Sequence, residues 1–303
     1  MTRHFLEIDD LDAPRLDTLL ARALEWKRDP PSIPPLLAGA GAIALFEKPS
    51  ARTRASIEMA IATLGGHPIY VRGEEVGLDD RETVEDVART FAGFARVIAA
   101  RVYDHRTLER MTAVVDVPVV NLLSDRAHPC QALADVLTLR EHFGDVGGRR
   151  LAFVGDGNNV AASLAYVGAL CGIEVAVASP VGYELDQHVV DAARNLGGVV
   201  ELHADPYDAV RGAHAVYTDV WASMGQEGER EQRQLAFAGY TVDDALLDAA
   251  DPESVFLHCL PAHRGEEVAA SVIDGPRSLV WPQAANRMDS ARSLLSDLLE
   301  GGA

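Results

Sequence analysis

The sequence predicts an α/β protein with two doubly wound parallel-sheet domains joined by helices. Short apolar runs alternate with longer amphipathic runs along the chain, a pattern typical of parallel βαβ units. The alternation is interrupted at the turn-forming segment 145–150 and then restarts. A length of 303 residues also suits two domains of ordinary size better than one.

Each element follows from the period of its apolar residues, which is about 3.6 in helices, whereas short apolar runs mark buried strands. An N-terminal helix is predicted over 11–26. The strands that follow are predicted over 42–46, 68–71, 97–102, 117–123, 150–154, 174–178, 199–202, 215–218 and 255–260. The helices between them are predicted over 54–64, 83–94, 105–114, 129–143, 159–171 and 186–196, with a final helix over 289–300. We expect a first domain over 1–140, a second over 141–287, and the tail 288–303 packed back on the first.

Composition narrows the classes of partner. The chain has 46 acidic and 27 basic residues, a net charge of −19, and such a surface repels nucleic acid and anionic lipid. We find no apolar run long enough for a membrane span and no signal peptide at the start. The cysteines, Cys130, Cys171 and Cys259, form no CxxC pair or disulfide framework. A cytoplasmic protein with small-molecule partners is therefore expected.

Polar motifs stand at six of the predicted strand ends. Ligands of doubly wound sheets bind outside the carboxyl ends of the strands, so these motifs are the candidate site. They begin at Ser50, Arg101, His128, Gly155, Asp219 and His258.

Two of these motifs suggest chemistry on their own. Ser50-Ala-Arg-Thr-Arg opens a helix, where backbone N–H groups and arginines suit a phosphate; the alternative is a capped helix with surface arginines. In His128-Pro-Cys-Gln the proline fits the first helical turn. His128 and Gln131 could there hydrogen-bond a carbonyl oxygen, although a lone histidine at this position is more often a structural cap.

Taken together, the motifs resemble the ornithine carbamoyltransferase family in order, spacing and context. The similarity extends from Arg3 to Trp281, and the His-Cys-Leu-Pro and Ser-Met-Gly segments separate this family from aspartate carbamoyltransferases. The matching motifs are Ser50-Ala-Arg-Thr-Arg, His128-Pro-Cys-Gln, Asp219-Val-Trp-Ala-Ser-Met-Gly-Gln-Glu and His258-Cys-Leu-Pro-Ala-His-Arg-Gly.

The resemblance implies an enzyme that moves the carbamoyl group of carbamoyl phosphate to the side-chain amine of L-ornithine, giving L-citrulline and phosphate. It implies catalytic roles for Arg101, His128 and Cys259. The implied carbamoyl phosphate ligands are Ser50, Ala51, Arg52, Thr53, Arg101, His128, Gln131 and Arg287. The implied ornithine ligands are Asn159, Asp219, Ser223, Met224, Cys259 and Leu260. It also implies a homotrimer or a multiple of trimers, with no metal and no cofactor.

Three alternatives were weighed against this interpretation. Gly155-Asp-Gly-Asn-Asn follows a strand as a dinucleotide fingerprint would, but the third glycine is missing. His258, Cys259 and His263 are possible zinc ligands, but their spacing is not that of a zinc site. A binding protein that has lost the chemistry is the third alternative.

The third alternative rests on departures from the family pattern. Ala51, Ala285 and Asp289 stand where the family usually has threonine, glutamate and histidine, and the segment 74–82, which in the family reaches a neighbouring subunit's site, is hard to align. The main cationic and ornithine-binding groups are present, so we expect an active enzyme.

Overall fold

The computed structural model describes residues 3–222 and 227–301 and confirms the predicted α/β class. The chain divides into two compact units. The first consists of Met1–Leu137 and Ala285–Ala303, and the second of Thr138–Ala284. Ser223 and Met224, predicted to bind ornithine, lie outside the described residues.

The first unit contains a parallel sheet in the order β2-β1-β3-β4. Its strands are β1 (Gly41–Phe46), β2 (His67–Arg72), β3 (Ala95–Arg101) and β4 (Val119–Leu123). In β1 and β3 nearly every residue is buried, as expected of strands covered on both faces. The N-terminal segment continues the sheet beyond β4, because Phe5 bridges Val120 in parallel.

The helices of the first unit follow these strands as the βαβ pattern predicts. They are α1 (Ala13–Arg28), α2 (Ala51–Thr63), α3 (Gly73–Val76), α4 (Val84–Ala92), α5 (His105–Thr112) and α6 (Pro129–Phe143), the last of which continues into the second unit. Side chains at their starts stabilise several of these helices: Asp12, Ser50, Thr83 and Asp104 each accept a hydrogen bond from a backbone N–H of the first turn.

The second unit contains a parallel sheet in the order β7-β6-β5-β8-β9. Its strands are β5 (Arg150–Val154), β6 (Glu174–Ala178), β7 (Val200–His203), β8 (Ala215–Thr218) and β9 (Val255–His258). Its helices are α7 (Asn159–Cys171), α8 (Gln187–Asn195), α9 (Pro206–Val210), α10 (Arg230–Ala236), α11 (Asp244–Asp248) and α12 (Ala270–Ile273). Helix α13 (Val280–Glu300) begins in this unit, but most of its residues belong to the first. Short 3₁₀ helices occur at Ile8–Asp10, Pro30–Ser32 and Glu227–Glu229. Among the described residues, no helix is both long enough and apolar enough to cross a membrane.

Helix α13 ends in the first unit, where polar contacts join it to α1. Ser293 donates its hydroxyl hydrogen to the carbonyl oxygen of Leu19 over 2.8 Å. Three further pairs run along the two helices: Arg15 with Asp297 at 2.5 Å, Arg22 with Glu300 at 2.9 Å, and Lys27 Nζ with Asn286 Oδ1 at 2.7 Å. These contacts fix the position of Arg287, which comes directly after Asn286.

Two element boundaries differ from the sequence prediction for identifiable reasons. Helix α13 begins at Val280 rather than 289, because Pro282 falls in the first turn, where its missing N–H costs nothing. Strand β9 ends at His258 rather than 260, because Leu260 adopts a φ of 59°, which no strand residue can have. Helices α3, α9, α11 and α12 have four or five residues, too few to show a period.

Gly157 is expected to be the least replaceable glycine in the β5–α7 turn. A Cβ atom there would lie 2.2 Å from the backbone nitrogen of Leu185, so Gly157→Ala must displace main chain. We expect it to lower the free energy of unfolding by about 1–3 kcal/mol. Gly147→Ala is the matched control, since its Cβ would meet an oxygen of Asp145 at an ordinary 3.5 Å. Equal urea midpoints for the two variants would contradict the expectation.

Candidate active site

The strand orders place the candidate residues at the switch point of each sheet. In the first unit the chain moves from β1 outward to β2 and then returns to β3 on the other side of β1. In the second unit β5 and β8 flank the corresponding point. Crevices at such points are the usual ligand sites of doubly wound sheets. Ser50 to Thr53 follow β1, Arg101 ends β3, Asn159 follows β5, and Asp219 follows β8.

The β1–α2 turn leads into a helix start of the kind that can bind an anion. Ser50 is the N-cap of α2, and its Oγ accepts the Thr53 N–H over 3.3 Å and lies 3.1 Å from Thr53 Oγ1. Ala51 and Arg52 stand exposed on the first turn, whereas Thr53 is buried. Backbone N–H groups and the positive end of the helix dipole therefore face outward at this turn.

Two buried arginines converge on the hydroxyl of Thr53. Arg101 Nη1 lies 3.5 Å and Arg287 Nη2 3.1 Å from Thr53 Oγ1. Arg287 also donates a short hydrogen bond to the Gln131 side-chain oxygen, and Gln131 in turn donates to Asp135 Oδ1 over 2.8 Å. The arrangement brings forked donors and positive charge to one point, which suits a phosphate or a developing oxyanion.

His128 lies in the same buried surroundings and is held neutral. It precedes α6, whose Gln131 and Ala132 N–H groups donate to its carbonyl oxygen. Burial, together with the positive charges of Arg287 and Arg101, holds the pKa of His128 well below its usual value. A neutral imidazole can donate a hydrogen bond without adding a further charge to the arginine cluster.

Arg54, the last arginine of the Ser50-Ala-Arg-Thr-Arg motif, is engaged away from this cluster. Arg54 forms an ion pair with Glu58 at 2.9 Å and stacks 3.7 Å over the ring of Tyr70. Arg52 is exposed on the first turn of α2. Asp289, where the family usually has histidine, pairs with Arg292 at 2.9 Å with both side chains nearly buried.

In the second unit, Asp219 is the centre of a polar cluster. Its Oδ2 accepts from Asn158 Nδ2 over 2.9 Å, and its Oδ1 accepts from the Cys259 thiol over 2.9 Å and from the Val220 N–H over 2.8 Å. Asn159, the predicted ornithine ligand, is the first residue of α7. These contacts bring Asp219 and Cys259 together, as required if both face one substrate.

The segment 258–263 is held by a buried carboxylate. Glu267 Oε1 accepts the His263 N–H over 2.5 Å and lies 3.3 Å from His258 Nε2, while His258 Nδ1 accepts the Leu260 N–H over 2.8 Å. Since Nδ1 is an acceptor, the ring proton of the neutral histidine must be on Nε2 and point to Glu267. Leu260 has a positive φ and precedes a cis peptide bond to Pro261. These hydrogen bonds to Glu267 and His258 fix the backbone on both sides of Cys259.

Arg233, which contacts two of the strand-end motifs of the second unit, was missed by sequence reasoning. Arg233 Nη1 donates to Asp156 Oδ2 over 2.6 Å and to the carbonyl oxygen of Trp221 over 2.8 Å, and Arg233 Nε donates to Glu229 over 3.0 Å. Burial raises the pKa of Asp156, and Arg233 opposes that rise. In the sequence, Trp221 precedes and Glu229 follows the segment that contains Ser223 and Met224. Asp156 and Asn158 did have a sequence signal, since both belong to the motif that begins at Gly155.

The geometry weighs against the dinucleotide and zinc alternatives. The Asn158 side chain accepts the N–H groups of Val160 and Ala161, which a pyrophosphate would need. Asp219, His258 and Cys259 place possible ligand atoms within 4.8 Å of one another, as do His263, Glu266 and Glu267. However, both ring nitrogens of His258 are engaged with Leu260 and Glu267, so His258 has no lone pair left for a metal.

The depressed pKa of His128 predicts a loss of stability in acid. In the unfolded chain the His128 side chain takes up a proton near pH 6.5, whereas in the folded protein it takes up the proton only at a lower pH. Between these values the unfolded state binds more protons, so stability falls as pH falls, by up to about 1.4 kcal/mol per pH unit. We expect His128→Asn to flatten the dependence of the urea midpoint on pH below 6.5, and the exposed His188→Asn to leave it unchanged. If the urea midpoint depended on pH in the same way for the unmodified protein and both variants, this expectation would be refuted.

Comparison with known proteins identifies both units. Residues 3–141 match the model of the carbamoyl-P binding domain of aspartate/ornithine carbamoyltransferases, and residues 147–298 match the model of their Asp/Orn binding domain. An ornithine carbamoyltransferase from Acidothermus cellulolyticus is 48% identical over 99% of this chain and 97% of its own length. An anabolic ornithine carbamoyltransferase from Pyrococcus furiosus is 45% identical over 99% of this chain and 97% of its own.

Solved structures agree with this match. The ornithine carbamoyltransferase structure from Pyrococcus furiosus has a TM-score of 0.94 at 44% identity and covers 99% of this chain and 98% of its own. The structure of the Thermus thermophilus enzyme has a TM-score of 0.90 at 45% identity, with 99% of each chain covered. With both domains matched in order along nearly its whole length, the chain belongs to the aspartate/ornithine carbamoyltransferase family.

Proposed function

We propose that this protein transfers the carbamoyl group of carbamoyl phosphate to the side-chain amine of L-ornithine, giving L-citrulline and phosphate. The observation that carries the proposal is the convergence of buried Arg101 and Arg287 on Thr53 Oγ1 at the start of α2. The names of the relatives support the reaction, since enzymes 43–51% identical to this chain are ornithine carbamoyltransferases.

We assign carbamoyl phosphate to the site in the first unit. The phosphate accepts hydrogen bonds from the α2 helix start, where Ser50, Ala51, Arg52 and Thr53 lie, and from Arg101. The carbamoyl group lies by neutral His128 and by Gln131, with Arg287 beside them. Ala51 can contribute only its backbone N–H, which is sufficient at a helix start because N–H groups themselves bind phosphate there.

We assign ornithine to the site in the second unit. Asp219 is suited to the α-ammonium group, and Asn159 to the α-carboxylate end. Ser223 and Met224 contribute from the segment outside the described residues. Cys259 and Leu260 lie beside the side-chain amine, and the hydrogen bonds that Glu267 and His258 accept fix their backbone.

The chemistry then needs a neutral amine and a stabilised oxyanion. An amine like that of lysine is mostly protonated at neutral pH, and supplying the free base costs about 4–5 kcal/mol. Desolvation and close approach to the carbonyl reduce this cost. The amine lone pair attacks the carbamoyl carbon, and Arg101, Thr53 and His128 donate to the developing oxyanion. The C–O bond to phosphate then breaks, phosphate leaves with the electron pair, and the proton lost by the amine nitrogen passes to the departing phosphate.

Assembly and location complete the proposal. We expect a homotrimer, or a multiple of trimers, acting in the cytoplasm on small-molecule substrates. Light scattering of the eluted protein tests the assembly: a mass that is not a multiple of three chains would contradict it.

The acceptor can be tested directly. Purified protein and carbamoyl phosphate are incubated in parallel with ornithine, lysine, putrescine or aspartate, and ureido product is measured by colour. We expect product with ornithine alone, because Asp219 requires an α-ammonium group at a fixed distance from the amine. Product with a different amine would overturn the acceptor, and no product from folded protein would overturn the reaction.

Arg52 and Arg54 provide a matched test of the phosphate site, being two arginines in one helical turn. We expect Arg52→Ala to lower kcat/KM for carbamoyl phosphate by about a hundredfold or more, since it removes a charged donor to the phosphate. Arg54→Ala should change it less than about threefold, because Arg54 pairs with Glu58 and stacks on Tyr70 and such exposed pairs contribute little. Similar losses in both variants would show that Arg52 has no special role.

A further inference from the structure

In the first unit, the loop that follows Arg101 and the loop that precedes His128 are joined by hydrogen bonds. One loop follows Arg101 at the end of β3, and the other leads from β4 to His128. The Asp125 N–H donates to the carbonyl oxygen of Tyr103 over 3.2 Å, and the His105 N–H donates to Asp125 Oδ1 over 2.8 Å. The position of Arg101 is thereby coupled to that of His128.

A buried serine lies at the centre of this junction. Ser124 has no exposed surface, and its Oγ accepts the Ala127 N–H over 3.3 Å and an Asn121 side-chain N–H over 3.2 Å. The third contact, to His105 Nδ1, is 2.8 Å long. With Oγ accepting from these two N–H groups, the Ser124 hydroxyl can donate its hydrogen to an unprotonated His105 Nδ1.

Both partners of this hydrogen bond are set by the fold. The Asn121 side chain is itself oriented, because its other N–H donates to the carbonyl oxygen of Leu6 over 2.9 Å. His105 is the first residue of α5 and is nearly buried. The turn is closed by a backbone hydrogen bond as well, from the Ser124 N–H to the carbonyl oxygen of Ala127 over 2.9 Å. The side-chain contacts therefore refine a turn that the backbone already forms.

We propose that Ser124 and His105 are positioning residues for His128, holding the turn before it in register with the loop that follows Arg101. The inference rests on the proposed function, in which His128 donates to the carbamoyl oxygen. Neither residue needs to touch a substrate. Their effect passes through the backbone of residues 124–128, whose geometry decides where the imidazole is placed.

The charge of His105 decides whether the junction holds. A protonated His105 would add a third donor to Ser124 Oγ, which has only two lone pairs. Burial is the main reason that the pKa of His105 lies below its usual value, and Arg126 adds to this lowering, while Glu109, Asp125 and Asp10 oppose it. Asp9 and Asp104 also face His105. The neutral form required by the geometry is therefore the form present at neutral pH.

Ser124→Ala is the principal test, since it removes the hydroxyl with almost no change in volume. We expect kcat to fall about ten- to a hundredfold, because small misplacements of a catalytic group have effects of this size. The KM for ornithine should be unchanged, since its ligands lie in the second unit. Ser254→Ala, at another fully buried serine, should retain the activity of the unmodified protein.

A double-mutant cycle separates positioning from general loosening. If Ser124 and His105 act through one hydrogen bond, His105→Leu should lower kcat by a similar factor, and the double variant should lose no more than either single variant. Multiplied losses, or a Ser124→Ala protein that loses thermal stability but keeps its kcat, would overturn the inference.

His128→Ala makes the two hypotheses distinguishable. Citrulline formation by the unmodified protein tests the proposed function, and loss of kcat in His128→Ala tests the role of His128. If both are observed but Ser124→Ala retains full activity, the positioning inference alone is wrong.

Discussion

The burial of two positive charges at one point constrains the whole of the first unit. Arg101 and Arg287 both donate to Thr53 Oγ1 although each is more than nine-tenths buried. Such charges are costly unless they are hydrogen-bonded and compensated. Gln131 and Asp135 on α6 extend the network from Arg287, and α1 holds the helix that carries Arg287. An anion at this point would reduce the remaining repulsion between the two guanidinium groups.

The second unit holds the Asp219 carboxylate and the Cys259 thiol at a fixed distance from each other. Asp219 receives hydrogen bonds from three parts of the chain, from Asn158, Val220 and Cys259. The unusual backbone at Leu260 would be unstable alone. Glu267 and His258 stabilise it by accepting backbone N–H groups on either side. Rigid placement of this kind is what proximity effects in catalysis require.

The sequence predicted the sheets and strand-end motifs well because period and apolar content report burial directly. It did not predict residues whose role depends on contacts between distant segments. Arg233 meets Asp156 across 77 positions, and Ser124 meets His105 only after two loops fold together. The short helices and the positive φ of Leu260 produce no periodic pattern of apolar residues in the sequence, so they could not be predicted from it. The roles of the predicted ligands came from a family resemblance, which the comparisons confirm at the level of family and fold, and those roles stay predictions.

The order of synthesis gives the placement of Arg287 a further meaning. Thr53 and Arg287 touch although 234 positions separate them, and the entire second unit is translated between them. A ribosome-bound chain therefore contains the start of α2 long before it contains Arg287. Contacts so distant in sequence form late in folding. Ligand affinity should thus be a property of finished chains, and products of premature termination should not compete for carbamoyl phosphate.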